Sequence, residues 1–74
     1  MPIADTGRSF DGRYKDVSYT ATARWSPSGG YRARYKLKGE EPVAWFDIRF
    51  ETPDEGLDEA ERRVREAIDL RSGQ

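Results

Sequence analysis

The stretch Tyr31-Arg32-Ala33-Arg34-Tyr35-Lys36-Leu37-Lys38 alternates a cation with an aromatic or aliphatic residue at every step. Successive side chains of a β-strand point to opposite faces, so this pattern predicts a strand with one apolar face and one basic face. At about 3.3 Å per residue, the four cations form a stripe about 20 Å long. The stripe predicts a surface for an anionic partner.

Two further segments with the same alternation flank this stretch. Val17, Tyr19, Ala21, Ala23 and Trp25 share one parity, and residues 43–51 alternate again with Phe46 and Ile48 on one side. The turn residues 26–30, with one proline and two glycines, and 39–42, with Gly39 and Pro42, separate the segments. We therefore expect a three-stranded antiparallel meander with residues 31–38 in the centre.

A helix is expected after the third predicted strand. Thr52 suits the N-cap, Pro53 the first helical position and Glu55 a capping box. Gly56 weakens the first turn, so we expect the regular helix to begin nearer Asp58. The apolar stripe comprises Leu57, Ala60, Val64, Ala67, Ile68 and the stem of Arg71, and Ser72-Gly73 ends the helix.

The predicted fold class is α+β: a three-stranded antiparallel meander sheet packed on one C-terminal helix, in the order β-β-β-α. Residues 1–12 hold few large apolar side chains and are interpreted as a flexible, disordered N-terminal arm. Residues 13–74 form the single domain. The predicted core on the sheet comprises Tyr19, Ala21, Ala23, Ala33, Tyr35, Leu37, Phe46, Ile48 and Phe50.

Composition narrows the function classes. The 74 residues include no cysteine and no histidine, which removes disulfides, thiolate and histidine catalysis and nearly all zinc sites. We expect no enzyme, no catalytic residues, no cofactor, no metal and no small-molecule substrate. No apolar run is long enough to cross a bilayer, so we expect a cytoplasmic protein without a membrane partner.

Charge is divided along the chain. Eight cations stand against three anions up to Lys38, whereas five cations stand against eleven anions from Gly39 onward. Such asymmetry predicts binding to charged partners better than the net charge of -1 does.

The turn lengths predict a register for the sheet face away from the helix. Trp25 opposite Tyr31 and Lys38 opposite Val43 give four rows across this face. The rows are Arg24, Arg32, Arg49; Thr22, Arg34, Asp47; Thr20, Lys36, Trp45; and Ser18, Lys38, Val43.

The rows differ in their implications. Arg34 and Asp47 are expected to form an ion pair, and Lys36 is expected to lie on the ring of Trp45. Three arginines abreast repel one another, and an anion over them relieves that repulsion. Trp45 is expected to face solvent and stack on a base, or else to lie under Phe10 or Ile3 of the arm.

The junction Phe50-Glu51-Thr52-Pro53-Asp54-Glu55 has the pattern F-x-T-x-x-E and resembles the strand-to-helix junction of AP2-like and phage-integrase arm-binding domains. Those families set a three-stranded sheet into the DNA major groove. The resemblance covers about residues 31–70. It implies nucleic-acid contacts at Arg24, Arg32, Arg34, Lys36, Trp45 and Arg49. The chain also looks like small bacterial proteins of the same β-β-β-α plan, which implies a fold and no activity.

Two functions remain open for this small non-enzymatic binding module. One is interaction with an unknown protein or with itself as a homodimer, through an edge strand bearing Ser18, Thr20 and Thr22 or through the acidic helix surface. The alternative is binding of nucleic acid, as duplex DNA, through the basic face of the sheet.

Overall fold

The fold is taken from a computed structural model, which describes residues 7–71. Three strands, β1 (Arg8–Tyr14), β2 (Val17–Trp25) and β3 (Tyr31–Leu37), precede one helix, α1 (Pro53–Arg71). The sheet order is β1-β2-β3, and both neighbouring pairs are antiparallel. The predicted α+β class, a three-stranded meander on a C-terminal helix, is confirmed.

The strands are not the three that the sequence pattern indicates. Residues 8–12, interpreted as part of a flexible arm, belong to β1 and pair with β2. The turn between β1 and β2 consists of Lys15 and Asp16, whose φ angles are 48° and 65°. Two consecutive positive φ values match the right-handed twist of a hairpin, so this turn joins the strands without a glycine. Residues 1–6 of the expected arm lie outside the described residues.

The central strand is β2 rather than the stretch from Tyr31. The predicted register of β2 against β3 is confirmed, since Trp25 lies opposite Tyr31 and Arg24 opposite Arg32. Because β1 and β3 flank β2 on both sides, β2 has no free edge, and the expected edge with Ser18, Thr20 and Thr22 is wrong.

The segment after β3 is irregular, although a third strand was expected over residues 43–51. The N–H groups of Val43 and Phe46 donate to the carbonyl oxygens of Tyr35 and Ala33, at 3.0 and 2.8 Å. An isolated bridge joins Phe50 to Tyr31. Between successive bonds the segment uses three or four residues where β3 uses two, so it bulges and does not alternate as a strand.

Helix α1 begins at Pro53, five residues before the expected start at Asp58. The backbone N–H of Glu55 donates to the Oγ1 of Thr52 at 3.2 Å, which confirms the N-cap. Gly56 lets the helix approach the sheet closely, because a Cβ there would lie 3.2 Å from that of Ala23 and 3.3 Å from that of Ala33. The expected end at Ser72-Gly73 lies outside the described residues.

The core lies between α1 and the helix side of β2 and β3. Val64 and Ile68 are its largest fully buried side chains and pack with Tyr19 and Leu37, whereas Phe46 is buried in a second cluster with small side chains such as Ala60. Ile48, expected in the core, is 42% exposed because the irregular segment turns it outward. Within residues 7–71, no helix is long and apolar enough to span a membrane.

Candidate anion-binding face

The sheet face away from α1, called here the outer face, carries a cluster of cations. Strand parity puts alternate residues of each strand on it, and Lys38 continues the row of Ser18, to whose carbonyl its N–H donates at 3.0 Å. Its cations are Arg13, Arg24, Arg32, Arg34, Lys36 and Lys38. Asp11 is the one carboxylate among the strand residues on this face, and the hydroxyl of Thr20 donates to it at 2.8 Å.

Arg24 and Arg32 lie directly opposite each other on β2 and β3. Together with Trp25, Pro27 and Trp45 they line an open recess of about 400 Å³. The Nε of Arg32 is buried and has no hydrogen-bond partner in the described part of the chain. Two neighbouring guanidinium groups without a carboxylate partner in residues 7–71 favour an anionic ligand.

Arg49 is absent from the row in which the sequence pattern put it. Its guanidinium donates to the carbonyl oxygen of Ser28 at 3.2 Å, in the turn between β2 and β3. The row of three arginines is therefore a pair, Arg24 and Arg32, with Arg49 bound to the neighbouring turn.

Trp45 interacts with Arg34 and not with Lys36. The guanidinium carbon of Arg34 lies 4.1 Å from the centroid of the Trp45 ring. Stacking leaves the in-plane N–H groups of an arginine free to donate to a ligand. The expected contact of Lys36 with Trp45 is wrong, because the bulged segment does not keep the predicted register.

Asp47 does not neutralise Arg34, contrary to the expected ion pair. It lines a recess on the helix side together with Arg62 and Arg63. No ion pair of Arg34 is present among residues 7–71. The charge of Arg34 is thus available on the outer face.

Phe10 does not cover Trp45. It pairs with Ala21 on the helix side of β1, at the far edge of the sheet. Trp45 is half-buried against the outer face, and Ile3, the other residue expected to cover it, lies outside the described residues.

A second recess, of about 520 Å³, opens at the other end of the outer face. Lys36, Lys38 and Arg13 line it together with Asp11 and Thr20. Arg13 is not among the site residues predicted from the sequence, because residues 8–12 of its strand are interpreted there as part of the arm. The alternation of Phe10, Gly12 and Tyr14 with Ser9, Asp11 and Arg13 is the signal that would have found it.

Apart from Arg49, the cations elsewhere in the described chain are paired with carboxylates. Lys15 bonds to Asp69 at 2.8 Å, and this hydrogen bond raises the pKa of Lys15 and lowers that of Asp69. Arg62 and Arg63 donate to Glu59, and these bonds lower the pKa of Glu59. Further pairs join Arg8 to Asp54, Arg65 to Glu61 and Arg71 to Glu40.

Six cations in residues 7–71 have no carboxylate oxygen within 4.0 Å. They are Arg24, Arg32, Arg34, Lys36 and Lys38, which lie on the outer face, and Arg49, which is bound to the turn between β2 and β3. The paired cations are those of the helix, Arg8 on the helix side of the sheet and Lys15 in the turn between β1 and β2. Arg13 is on the outer face but lies 4.0 Å from Asp16 of that turn. The sequence alone did not show which cations are paired and which are not, because the pairing depends on which carboxylates the fold brings near each cation.

Comparison with known proteins supplies no family. No family model, no curated protein and no solved structure matches this chain. In the part of the chain that the structure describes, no group of three or more acidic side chains is placed to hold a metal ion. A function for this protein is therefore argued from the geometry of the outer face.

Proposed function

We propose that the protein is a non-enzymatic module that binds nucleic acid, as duplex DNA in the cytoplasm, through the outer face of its sheet. One observation carries the proposal: in residues 7–71, all but one of the cations that lack a carboxylate partner lie on this face, whereas those on the helix are paired. Unpaired cations on one face attract a polyanion and release its counterions on binding. The resemblance of residues 50–55 to DNA-binding domains agrees with this function.

The size of the sheet supports binding in a groove. Three strands spaced about 4.8 Å apart span about 10 Å across their backbones, and the DNA major groove is about 12 Å wide. Sheet-type readers use strands in this groove. Arg32, Arg34, Lys36 and Lys38 then lie along the groove on one strand and its extension, with Arg24 beside them.

The outer face has two kinds of contact to offer. Arg24, Lys36 and Lys38 are exposed, and their side chains suit phosphates, which supply affinity without sequence information. Arg34 lies over the ring of Trp45, and this contact restricts its N–H fork before binding, which suits the paired acceptors of a guanine. We therefore assign Arg34 to base contact and the other three to phosphate contact.

Fluorescence anisotropy with a labelled mixed-sequence duplex tests the proposal. We expect binding at low salt, with the logarithm of the association constant falling about 0.9 for each phosphate contact per tenfold rise in salt. Lys36→Ala should lower this slope by about one contact, and Arg34→Ala should weaken binding by about tenfold.

Arg65→Ala is the matched control, because Arg65 pairs with Glu61 on the helix and lies away from the outer face. Its binding should equal that of the unchanged protein. The proposal is contradicted if the protein does not bind the duplex at low salt, or if Arg65→Ala and Arg34→Ala lower the affinity equally. Single-stranded DNA and duplex RNA of the same sequence, run in parallel, show which nucleic acid is preferred.

A further inference from the structure

Strand β1 forms the open edge of the sheet in residues 7–71. At the opposite edge, carbonyl oxygens of β3 at Tyr31, Ala33 and Tyr35 accept hydrogen bonds from the segment that follows. β1 has β2 on one side and no strand or segment of the described chain on the other. Such an edge presents unpaired N–H and C=O groups and adds a further strand readily.

The turn at Lys15-Asp16 determines which backbone groups point to this open edge. A two-residue hairpin turn is closed by a hydrogen-bonded pair, here Tyr14 and Val17. Bonded and non-bonded pairs then alternate along the ladder. The outward groups of β1 are therefore those of Ser9, Asp11 and Arg13. The same alternation requires outward groups at Tyr31, Ala33 and Tyr35 of β3, which are the groups that bond to the next segment.

We propose that β1 pairs antiparallel with β1 of a second copy of this chain, about a two-fold axis between the two Gly12 residues. Asp11 of each copy then lies opposite Arg13 of the other, and their outward backbone groups form the hydrogen bonds. Phe10 of each copy lies opposite Tyr14 of the other on the helix side. The interface thus gains two opposite-charge pairs on the outer face and two aromatic pairs on the helix side.

The charges on β1 favour the register centred on Gly12 over the registers centred on nearby residues. An axis at Asp11 sets two carboxylates opposite each other, and an axis at Arg13 does the same with two guanidinium groups. Like charges directly opposite destabilise a pair of strands. An axis at Phe10 keeps one aromatic pair but sets Asp11 against Ser9, so both charge pairs are lost.

The side chains at this edge suit the proposed partner. Phe10 is 46% exposed on the helix side, between the contacts of Arg8 with Asp54 and of Tyr14 with Asp69 that tie β1 to α1. Tyr14 of a second copy would cover this ring. At Gly12 the pair is non-bonded, with Cα atoms about 4.5 Å apart, and the absence of a side chain permits this approach. A two-fold axis normal to the sheet also joins the two outer faces.

A head-to-tail dimer, with the acidic helix of one copy on the basic sheet of the next, is disfavoured. Most helix carboxylates are already paired within the chain, as Glu59 is with Arg62 and Arg63. Their charge is therefore partly neutralised before any partner arrives.

Sedimentation equilibrium up to millimolar protein, without nucleic acid, tests the dimer. We expect a reversible monomer–dimer equilibrium. Asp11→Arg and Arg13→Asp should each raise the dimer dissociation constant about tenfold, because two attractive pairs become two repulsive ones. The double variant with both changes restores opposite charges and should return the constant to within about threefold of the original. Asp58→Arg, the same charge change on an exposed part of the helix, should leave it unaltered.

The register of the two β1 strands is tested by a separate measurement. In a sample that mixes isotope-labelled and unlabelled chains, we expect a nuclear Overhauser contact between the Gly12 Hα protons of the two copies. A strict monomer at millimolar concentration overturns the dimer. Failure of the double variant to recover, or tighter association of Asp11→Asn, overturns the register. Because no nucleic acid is present, none of these results depends on the proposed DNA binding.

Discussion

The ring of Tyr19 lies over Gly12 across the pairing of β1 with β2. A Cβ at Gly12 would lie 2.5 Å from both the Cζ and the Oη of Tyr19, too close for any side chain. Tyr19 is only 4% exposed and packs with Leu37, Val64 and Ile68, so its ring cannot move aside freely. Gly12 is therefore the residue of β1 that lets the aromatic ring close the end of the core.

Gly12→Ala should lower the free energy of unfolding by about 1–3 kcal/mol, as expected for overpacking. Urea denaturation followed by circular dichroism measures the loss. Ser9→Ala is the control, because Ser9 is exposed on the same strand and should change stability by less than about 0.5 kcal/mol. Equal stability of Gly12→Ala and the unchanged protein would contradict the packing described.

Ile68→Ala should destabilise the protein by about 2–4 kcal/mol, because Ile68 is 1% exposed at the centre of the core. Leu70→Ala, two residues away on the same helix and 82% exposed, should cost less than about 0.5 kcal/mol. Thermal unfolding distinguishes them. If the two substitutions lowered the stability equally, the face of α1 that contains Ile68 would not be the one that packs on the sheet.

Stability should fall as the solution is acidified below the usual carboxyl range. Hydrogen bonds from Lys15 to Asp69 and from Arg62 and Arg63 to Glu59 lower the pKa of each carboxyl in the folded state. A lowered folded pKa gives stability that is present above the unfolded pKa and lost as the pH falls through the folded pKa. Urea midpoints measured across this range report the loss.

Asp69→Asn isolates the contribution of Asp69 to the pH dependence of stability. The variant should be less stable than the unchanged protein at neutral pH, and the difference should shrink in acid, where Asp69 of the unchanged protein is protonated. Asp58→Asn is the control, since Asp58 has no ion pair in the described chain. A difference for Asp69→Asn that stays constant with pH would contradict a charge-based origin.

Trp45→Ala should weaken duplex binding about threefold without changing its salt slope, because the ring orients Arg34 but carries no charge. Anisotropy titrations at several salt concentrations measure both quantities. Trp25→Ala is the comparison, since Trp25 packs edge-on against Tyr31 with ring centroids 5.4 Å apart. We expect the larger loss for Trp45, and the reverse order would remove Arg34 from the proposed contact.

The register of β2 with β3 and the helix cap were predictable, because both depend on local signals. The turn from Ser26 to Gly30 fixes the pairing of Trp25 with Tyr31, and Thr52-Pro53 marks the helix start. Parity then follows, and it places Arg24, Arg32, Arg34 and Lys36 on one face without any tertiary information.

The edges of the sheet were not predictable from the same signals. Strand β1 has little apolar content, and its turn uses Lys15 and Asp16 at positive φ without a glycine. Conversely, the sequence of residues 43–51 alternates as in a strand, but in the structure Phe46 is buried in the core and Ile48 is exposed. Arg63 lies 4.2 Å from the ring of Phe46, so the helix closes the core at this residue. Tertiary packing thus overrides alternation at this edge.

The irregular segment beyond β3 has a consequence for assembly. A sheet with two open edges can add copies at both ends and grow into a filament of unlimited length. Here the carbonyl oxygens of Tyr31, Ala33 and Tyr35 are already occupied by the chain's own backbone. Growth by strand addition is therefore restricted to the side of β1, and two copies joined there have no matching open edge left within residues 7–71. The bulge that prevents a fourth strand also makes such an assembly finite.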